Sequence, residues 1–382
     1  MNILIVGAGI GGLSAAISLS KAGHAVTLLE REARFAPLGA GIVLAPNAAG
    51  ALAWLGVPLE EHGTPVLSLD IVRPDSSLLS RIDTQRLASV YGPTWAFARP
   101  RLHEALCAAL PSAVALRMGA TAVSIRPLMD RVMVTFGDGA EQGFDLVIGA
   151  DGLRSQVRAQ VLGAPRYRYS GVTCYRGLVQ NPGIERALEA WGGETRVGVV
   201  PLRDGQLYYF LLRSAPPRAP ALEFPAALRE VYGHYRGEVG KLFEVLDGTP
   251  PLHHDLEELD APVWGVPRVL LLGDAAHALT PNQGQGAAMA IEDALALTSI
   301  LEQGVEGALE RYVATRHARV RTIQLDSRRL GQVAHIANPF MSWLRDGALR
   351  MMPEAATVAK YRKLVQPGID LVQRVSAMQP QA

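Results

Sequence analysis

Residues 2–30 read NILIVGAGIGGLSAAISLSKAGHAVTLLE, and the order of their parts decides the fold. Ile3 to Val6 is a short apolar run rich in β-branched residues, the pattern of a strand buried on both faces. Gly7-Ala8-Gly9-Ile10-Gly11-Gly12 follows at once, then Leu13 to Ala22 reads as a helix with small residues on one side. A second strand, Ala25 to Leu29, ends in Glu30. Strand, glycine turn, helix, strand, acid is the order of a dinucleotide-binding unit. Gly7 permits the tight turn, Gly9 lets the backbone approach a pyrophosphate, and Gly12 lets the helix pack closely on the strand. The anion rests on unpaired N–H groups at the positive end of the helix. Glu30 is placed to accept hydrogen bonds from both hydroxyls of an adenosine ribose, and Arg31 beside it joins it as a cofactor-binding candidate. An acid at this point disfavours a ribose 2′-phosphate, and so NADP at this particular site. The unit serves NAD and FAD alike.

Composition bounds the rest. The 382 residues suffice for two or three domains, and 37 Lys plus Arg against 36 Asp plus Glu leave no basic field for nucleic acid. With 49% apolar and 19% charged residues the chain is globular rather than disordered. Two cysteines, Cys107 and Cys174, are too few for a disulfide framework, so a reducing cytoplasm is expected. The longest apolar stretches are strand-sized, short of the ~20 residues of a membrane helix, so no integral membrane association is expected. Nothing points to an oligomeric state.

A second glycine-rich constellation narrows the cofactor. Residues 145–158 read DLVIGADGLRSQVR: a buried strand, then Asp151-Gly152, Ser155 and Arg158. Further on, the strand Val269 to Leu272 runs into Gly273-Asp274-Ala275-Ala276-His277, then a loop with Pro281, Gly284, Gln285 and Gly286. That loop enters a helix carrying Glu292 and Asp293. Two helix N-termini presenting backbone N–H groups suit a cofactor with a long polar chain and a ring that gains negative charge. Asp274 could hold a ribityl hydroxyl, and the amides of Gly284 to Gly286 could stabilise the anionic end of a reduced ring.

Together these residues resemble the single-component, class A FAD-dependent aromatic hydroxylases of the para-hydroxybenzoate hydroxylase fold. The resemblance rests on Gly7, Gly9, Gly12 and Glu30, on Asp151-Gly152 with Ser155 and Arg158, and on Gly273-Asp274 through Asp293. GAGIVLAPNA (39–48), with Gly41 and Ile42, resembles the family's segment beside the flavin ring, and Arg99 with Leu102 matches its Arg-x-x-Leu. What the likeness implies is bound FAD, NADH or NADPH as transient co-substrate, and O2. It implies oxygen insertion into a small aromatic or heteroaromatic substrate through a flavin hydroperoxide, with Pro281 shaping the pocket in which that forms. The branch it resembles within the family is that of urate hydroxylase and salicylate hydroxylase, through YSGVTCYRGLV (169–179) and VGVVPLRDGQLYYFLL (197–212). Where the urate enzymes carry an arginine this chain has Gln206, which removes the guanidinium partner of an anionic purine and argues against urate. A reductase, dehydrogenase or halogenase on the same scaffold is the competing class; the halogenase Trp-x-Trp-x-Ile-Pro is absent. A flavin-bound regulator without turnover is the third.

The fold expected is α/β: a Rossmann-like FAD-binding domain in dispersed segments, an inserted and mostly antiparallel β-sheet, and a C-terminal helical segment. Residues 1–75, 99–165 and 266–330 are assigned to the FAD-binding domain, 76–98 and 166–265 to the substrate lid, and 331–382 to the helical segment. Tyr175, Arg176, Gln206, Tyr208 and Tyr209 are the candidates for lining the substrate site, although alternate strand residues face away from any cleft. His253-His254-Asp255 reads as a solvated loop, since neighbours on a strand point to opposite faces and offer no metal spacing. No metal site is expected.

Overall fold

The computed structural model describes residues 1–35 and 39–378. Residues 379–382, expected as the end of the helical segment, and 36–38, assigned to the FAD-binding domain, lie outside them.

The glycine-rich unit forms as its sequence dictates. Asn2–Val6 is the central strand of a six-stranded sheet, paired in parallel with Ala25–Glu30 on one side and Leu146–Gly149 on the other. Val269–Leu271 continues that sheet in parallel beyond Leu146–Gly149. All three motif loops therefore leave the same ends of adjacent strands, the place where such sheets bind ligands. Helix Ile10–Lys21 packs on helix Gly286–Leu301, so the two candidate anion-binding helices share one layer. Close approach is enforced by Gly12, where an added Cβ would lie 1.9 Å from the Gly7 carbonyl oxygen. Gly7 itself has φ +104°, a conformation that favours glycine.

The second large sheet has seven strands, in the order Leu252–Leu259, Tyr167–Gln180, Gln206–Ser214, Thr195–Pro201, Ala187–Trp191, Ser68–Val72 and Leu78–Asp83. It is antiparallel except where Ala187–Trp191 runs parallel to Ser68–Val72. The sheet thus takes in residues from Ser68 rather than from 76, because Leu69 pairs with Ala187 and Asp70 with Leu188. Trp95–Ala98, assigned from sequence to the lid, instead pairs with Gly41–Leu44 and Thr64–Pro65 in a separate three-stranded sheet. Residues 221–247 contain the short helices Ala226–Tyr232, Gly237–Gly240 and Lys241–Glu244, interrupted at Gly233 and packed on one face of the seven-stranded sheet. Residues 331–378 continue helix Ala308–Ala334, then form Pro339–Arg350 and Glu354–Met378. No helix among the described residues is long and apolar enough to cross a membrane.

One buried ionic cluster ties these layers together. Arg316 Nε donates to Asp293 Oδ1 at 2.7 Å and its Nη1 to Glu292 Oε2 at 2.7 Å. Arg319 Nη2 donates to Glu292 Oε1 at 3.1 Å and to the Leu364 carbonyl at 2.6 Å, reaching the C-terminal helix. Asn47 Nδ2 bridges Glu292 Oε1 at 2.8 Å and Gln285 Oε1 at 2.9 Å. Asp293 Oδ2 accepts from the Gly273 N–H at 3.0 Å and lies 2.6 Å from His277 Nε2, which must donate to an ionised carboxylate. Burial alone would raise the pKa of both acids. His277 and Arg316 beside Asp293, and Arg316 and Arg319 beside Glu292, outweigh it and hold both below the usual carboxylate range.

Removing one partner from such a cluster strands a buried charge. Arg316→Met is expected to lower the unfolding free energy by about 3–5 kcal/mol in urea titrations. Arg86→Ala, which breaks only the exposed pair with Glu354, is expected to cost about 1 kcal/mol or less. Because the folded-state pKa values of Asp293 and Glu292 are depressed, their contribution is complete above the ordinary carboxylate range and lost as pH falls through the folded values. The thermal midpoint should therefore decline on acidification below about pH 4.

Candidate active site

The cleft lies where the three motif loops face the seven-stranded sheet. Gly9 caps helix Ile10–Lys21 in extended conformation, is exposed, and an added Cβ there would meet nothing within 4 Å. The first N–H groups of this helix, which lack intrahelical acceptors, therefore open onto free space. Glu30 ends its strand as expected, with Oε2 accepting from the Ala8 N–H and Oε1 from the Glu32 N–H, both at 3.0 Å. These bonds aim the carboxylate across the mouth of the glycine turn. Arg31 is exposed and pairs with Glu32 at 3.3 Å.

The Asp-Gly loop is held by its own motif. Asp151 Oδ2 accepts from the N–H groups of Gln156 and Val157 at 2.7 and 3.1 Å, while its Oδ1 is buried without a partner. Ser155 caps the following helix by accepting from the Arg158 N–H. The buried Arg158 side chain donates to the carbonyls of Leu153 and Ala275 at 2.6 and 2.7 Å, binding the Asp-Gly loop to the Gly-Asp loop. Asp274 is exposed at the start of the turn Asp274–His277.

Downstream, Pro281 opens a 3-10 turn and is exposed, and Gly284 takes φ +63°. An added Cβ at Gly284 would come within 3.9 Å of the Val43 carbonyl oxygen, and at Gly286 it would meet nothing. The amides at the N-terminus of Gly286–Leu301 thus lie open beside strand Gly41–Leu44. Gln285 departs from expectation in one respect. Its side chain is buried and turned inward onto Asn47, so only its backbone is available to a ligand.

Strand Gly41–Leu44 is wedged between this loop and the seven-stranded sheet. A Cβ on Gly41 would fall 2.2 Å from the Tyr208 ring, and one on Gly39 2.6 Å from Arg99 Cδ. Ile42, partly buried, pairs with Phe97. Arg99 starts the helix Arg99–Ala108 and stands at the mouth of the cleft, exposed to solvent yet partly desolvated by the groups around it. Its pKa is lowered by burial and by the neighbouring Arg176, with Asp274 and Tyr208 opposing. Burial likewise pushes the Tyr208 phenol up, with Arg176 and Arg99 near it. Arg99, Arg176, Tyr208 and Asp274 are therefore brought together from four distant segments.

Strand register sorts the remaining candidates. Cys174 pairs with Leu212, Arg176 with Phe210 and Leu178 with Tyr208, and these share the face that meets Gly41. Gln206 lies on the same face at the hairpin end, opposite Gln180. Tyr175 and Tyr209 are corrections. Both are 1% exposed in the core under the short helices, on the face away from the cleft. Tyr175 accepts the Leu222 N–H at 3.0 Å and stacks on His253, leaving it no role against a substrate. The alternation of the pleat decides this, and the sequence alone does not say which set faces in. His253-His254-Asp255 is also corrected: it belongs to strand Leu252–Leu259 rather than to a loop.

Among the described residues Arg176 Nε is buried without a partner, the Asp151 carboxylate keeps a free buried oxygen, and two helix N-termini stand open. This donor set fits a dinucleotide whose phosphates and ring edge are anionic.

Comparison with known proteins agrees. The family model described as FAD binding domain matches residues 1–326. Aurachin C monooxygenase/isomerase of Stigmatella aurantiaca is 35% identical over 379 residues, covering 96% of this chain and 98% of its own. 2-Heptyl-3-hydroxy-4(1H)-quinolone synthase of Pseudomonas aeruginosa is 35% identical over 375 residues, covering 95% and 97%. Klebsiella pneumoniae HpxO, solved with FAD and uric acid, superposes with a TM-score of 0.86 at 27% identity over 96% of this chain and 97% of that one. The chain belongs to the FAD binding domain family and is, like these relatives, an FAD-dependent monooxygenase of the class A aromatic hydroxylase type.

Proposed function

We propose that the protein hydroxylates a bicyclic heteroaromatic ring of the quinolone type, with FAD as bound cofactor, NADH or NADPH as reductant and O2 as oxygen source. The observation that carries this reading is the cleft face of the seven-stranded sheet. It presents Phe210, Leu212, Cys174 and Tyr208 around the unpartnered guanidinium of Arg176. Such a surface suits a flat, apolar ring with one oxygen able to accept from Arg176. The product for which the Pseudomonas aeruginosa relative is named, a hydroxylated quinolone with a heptyl tail, has that chemistry.

When bound, FAD supplies the redox chemistry, taking a hydride from the nicotinamide and activating oxygen. The chain's own part is orientation. Gly9 leaves room for the pyrophosphate on the free N–H groups of its helix, and Glu30 accepts from the adenosine ribose, with Arg31 at the rim. Asp151 and Asp274 accept from the polar chain of the cofactor. Gly41 and Ile42 would flank the ring, and Arg99 and the amides of Gly284, Gln285 and Gly286 would donate to its pyrimidine edge. Pro281, without an N–H and with a fixed φ, shapes the substrate side of the cleft and keeps a backbone donor out of it. Tyr208 and Gln206 close the cleft from the lid and exclude water. Arg176 donates to the substrate's oxygen, which draws charge onto it and orients the ring carbon to be oxidised.

The test is a purified yellow protein assayed for NADH and NADPH oxidation with phenols, salicylate, purines and 2-heptyl-4(1H)-quinolone, using labelled O2. One labelled oxygen in a quinolone product, at a better kcat/KM than any benzoate or purine, is expected; preference for salicylate or urate would sink the proposal. Gly9→Val should leave the thermal midpoint of the flavin-stripped protein near that of the flavin-stripped parent, because the side chain meets open space, yet abolish flavin retention. Asp274→Ala should weaken retention. Gly41→Ala should keep the flavin but, by displacing the Tyr208 ring, lower product formed per NAD(P)H by about tenfold.

A further inference from the structure

Among the described residues, His254 is a cleft-facing base with no structural role. It pairs with Cys174 across the sheet, and residues directly opposite in an antiparallel pair point to the same face. Cys174 packs with Leu212 and Phe210 on the cleft side, so His254 stands on that side, while His253 lies on the other. His253 is fully engaged: its Nε2 lies 2.7 Å from Thr173 Oγ1 and its ring stacks on Tyr175 at 4.4 Å. These contacts pin the strand's phase and thereby fix where His254 points. Among the described residues no side chain hydrogen-bonds the His254 ring, which is only partly buried. Its charged neighbours are Arg176 from the adjacent strand, Arg99 from the helix across the cleft, and His253 and Asp255 on its own strand.

We propose that His254 is the substrate-orienting residue of this site, its neutral imidazole accepting a hydrogen bond from a ring N–H while Arg176 donates to the ring's oxygen. The inference rests on the heteroaromatic reading above and names the part of the substrate that is read. Burial, with Arg176 and His253 beside it, holds His254 down at about 4 despite Asp255, so it is an acceptor at neutral pH and does not compete as a second cation. Arg176 and His254 stand at diagonal rather than opposed positions of adjacent strands, and a donor and an acceptor set apart in this way can meet a carbonyl and an N–H at opposite edges of one ring. A benzoate without a ring hydroxyl, with acceptors only, leaves the imidazole unpaired. A site built to pair a polar group rejects the analogue that lacks it, because its own buried group is then stranded.

The discriminating probes are 2-heptyl-4(1H)-quinolone and 2-heptylchromen-4-one, which has a ring oxygen in place of the N–H and the same shape. Binding is read from perturbation of the flavin spectrum of the oxidised holoprotein, independently of turnover. The parent should bind the quinolone at least tenfold more tightly than the chromenone. His254→Leu, of similar volume and with FAD content as its folding check, should lose about tenfold for the quinolone and bind the two probes alike. His254→Gln, which keeps an acceptor, should restore part of the preference. Undiminished discrimination in His254→Leu overturns the assignment to His254. A parent holoprotein that binds neither probe, yet binds salicylate or urate, overturns the heteroaromatic reading and this inference with it.

Discussion

The structure depends on the buried charge cluster of Glu292, Asp293, Arg316 and Arg319, joined by Asn47 and His277. Two carboxylates and two guanidiniums balance in the core, and their desolvation is tolerable only because each is met by hydrogen bonds of good geometry. That requirement fixes several elements at once. The Gly273 N–H is held by Asp293, the first turn of helix Gly286–Leu301 by Asn47 through Gln285, and the C-terminal helix by Arg319 on the Leu364 carbonyl. Gly368 lets that last helix cross directly over Glu292, where an added Cβ would lie 2.4 Å from Oε1. The height of the Gly-Asp loop above the cleft is thus set from behind, by groups that never meet a ligand.

The cleft is closed from in front by a different device, the close approach of glycine to bulky side chains. Gly39 admits Arg99, and Gly41 admits Tyr208, so the strand between them is clasped by the helix at Arg99 and by the lid. Arg158 joins the Asp-Gly and Gly-Asp loops through two carbonyls, and Arg196 joins the lid to the Pro281 turn by donating to Asn282 at 2.7 Å. Polar residues conspicuous within the motifs therefore divide into two kinds. Some, such as Arg158, Gln285 and Asp293, hold loops in place. Others, such as Glu30, Asp274, Arg99 and Arg176, are held by the fold with capacity to spare on the cleft side. A cofactor that carries the hard chemistry asks this of a protein: rigid placement behind and unsatisfied groups in front.

Much of this was legible in the chain. The strand, glycine turn, helix and acid of residues 2–30 formed within a few residues of where periodicity and glycine chemistry put them. Leu146–Gly149 and Val269–Leu271 joined the same sheet. Contiguous motifs are local physics: a tight turn needs its glycine, and a helix start its free N–H groups, wherever the rest of the chain lies. The lid was legible only as strands. That Ser68–Val72 belongs to it, and Trp95–Ala98 does not, rests on pairing with partners far away in sequence.

The sequence by itself therefore determined the class of fold and the strand ends at which a dinucleotide-binding motif opens, since both are written in short runs with local spacing rules, while FAD rather than NAD came with the family resemblance. Only the tertiary structure decided which strand residues face the cleft. A strand offers alternate side chains to opposite faces, and its phase is set by register with neighbours rather than by its own composition. That phase turned Tyr175 and Tyr209 into core, left Arg176 and Tyr208 facing the cleft, and placed His254 beside them where a solvated loop was expected.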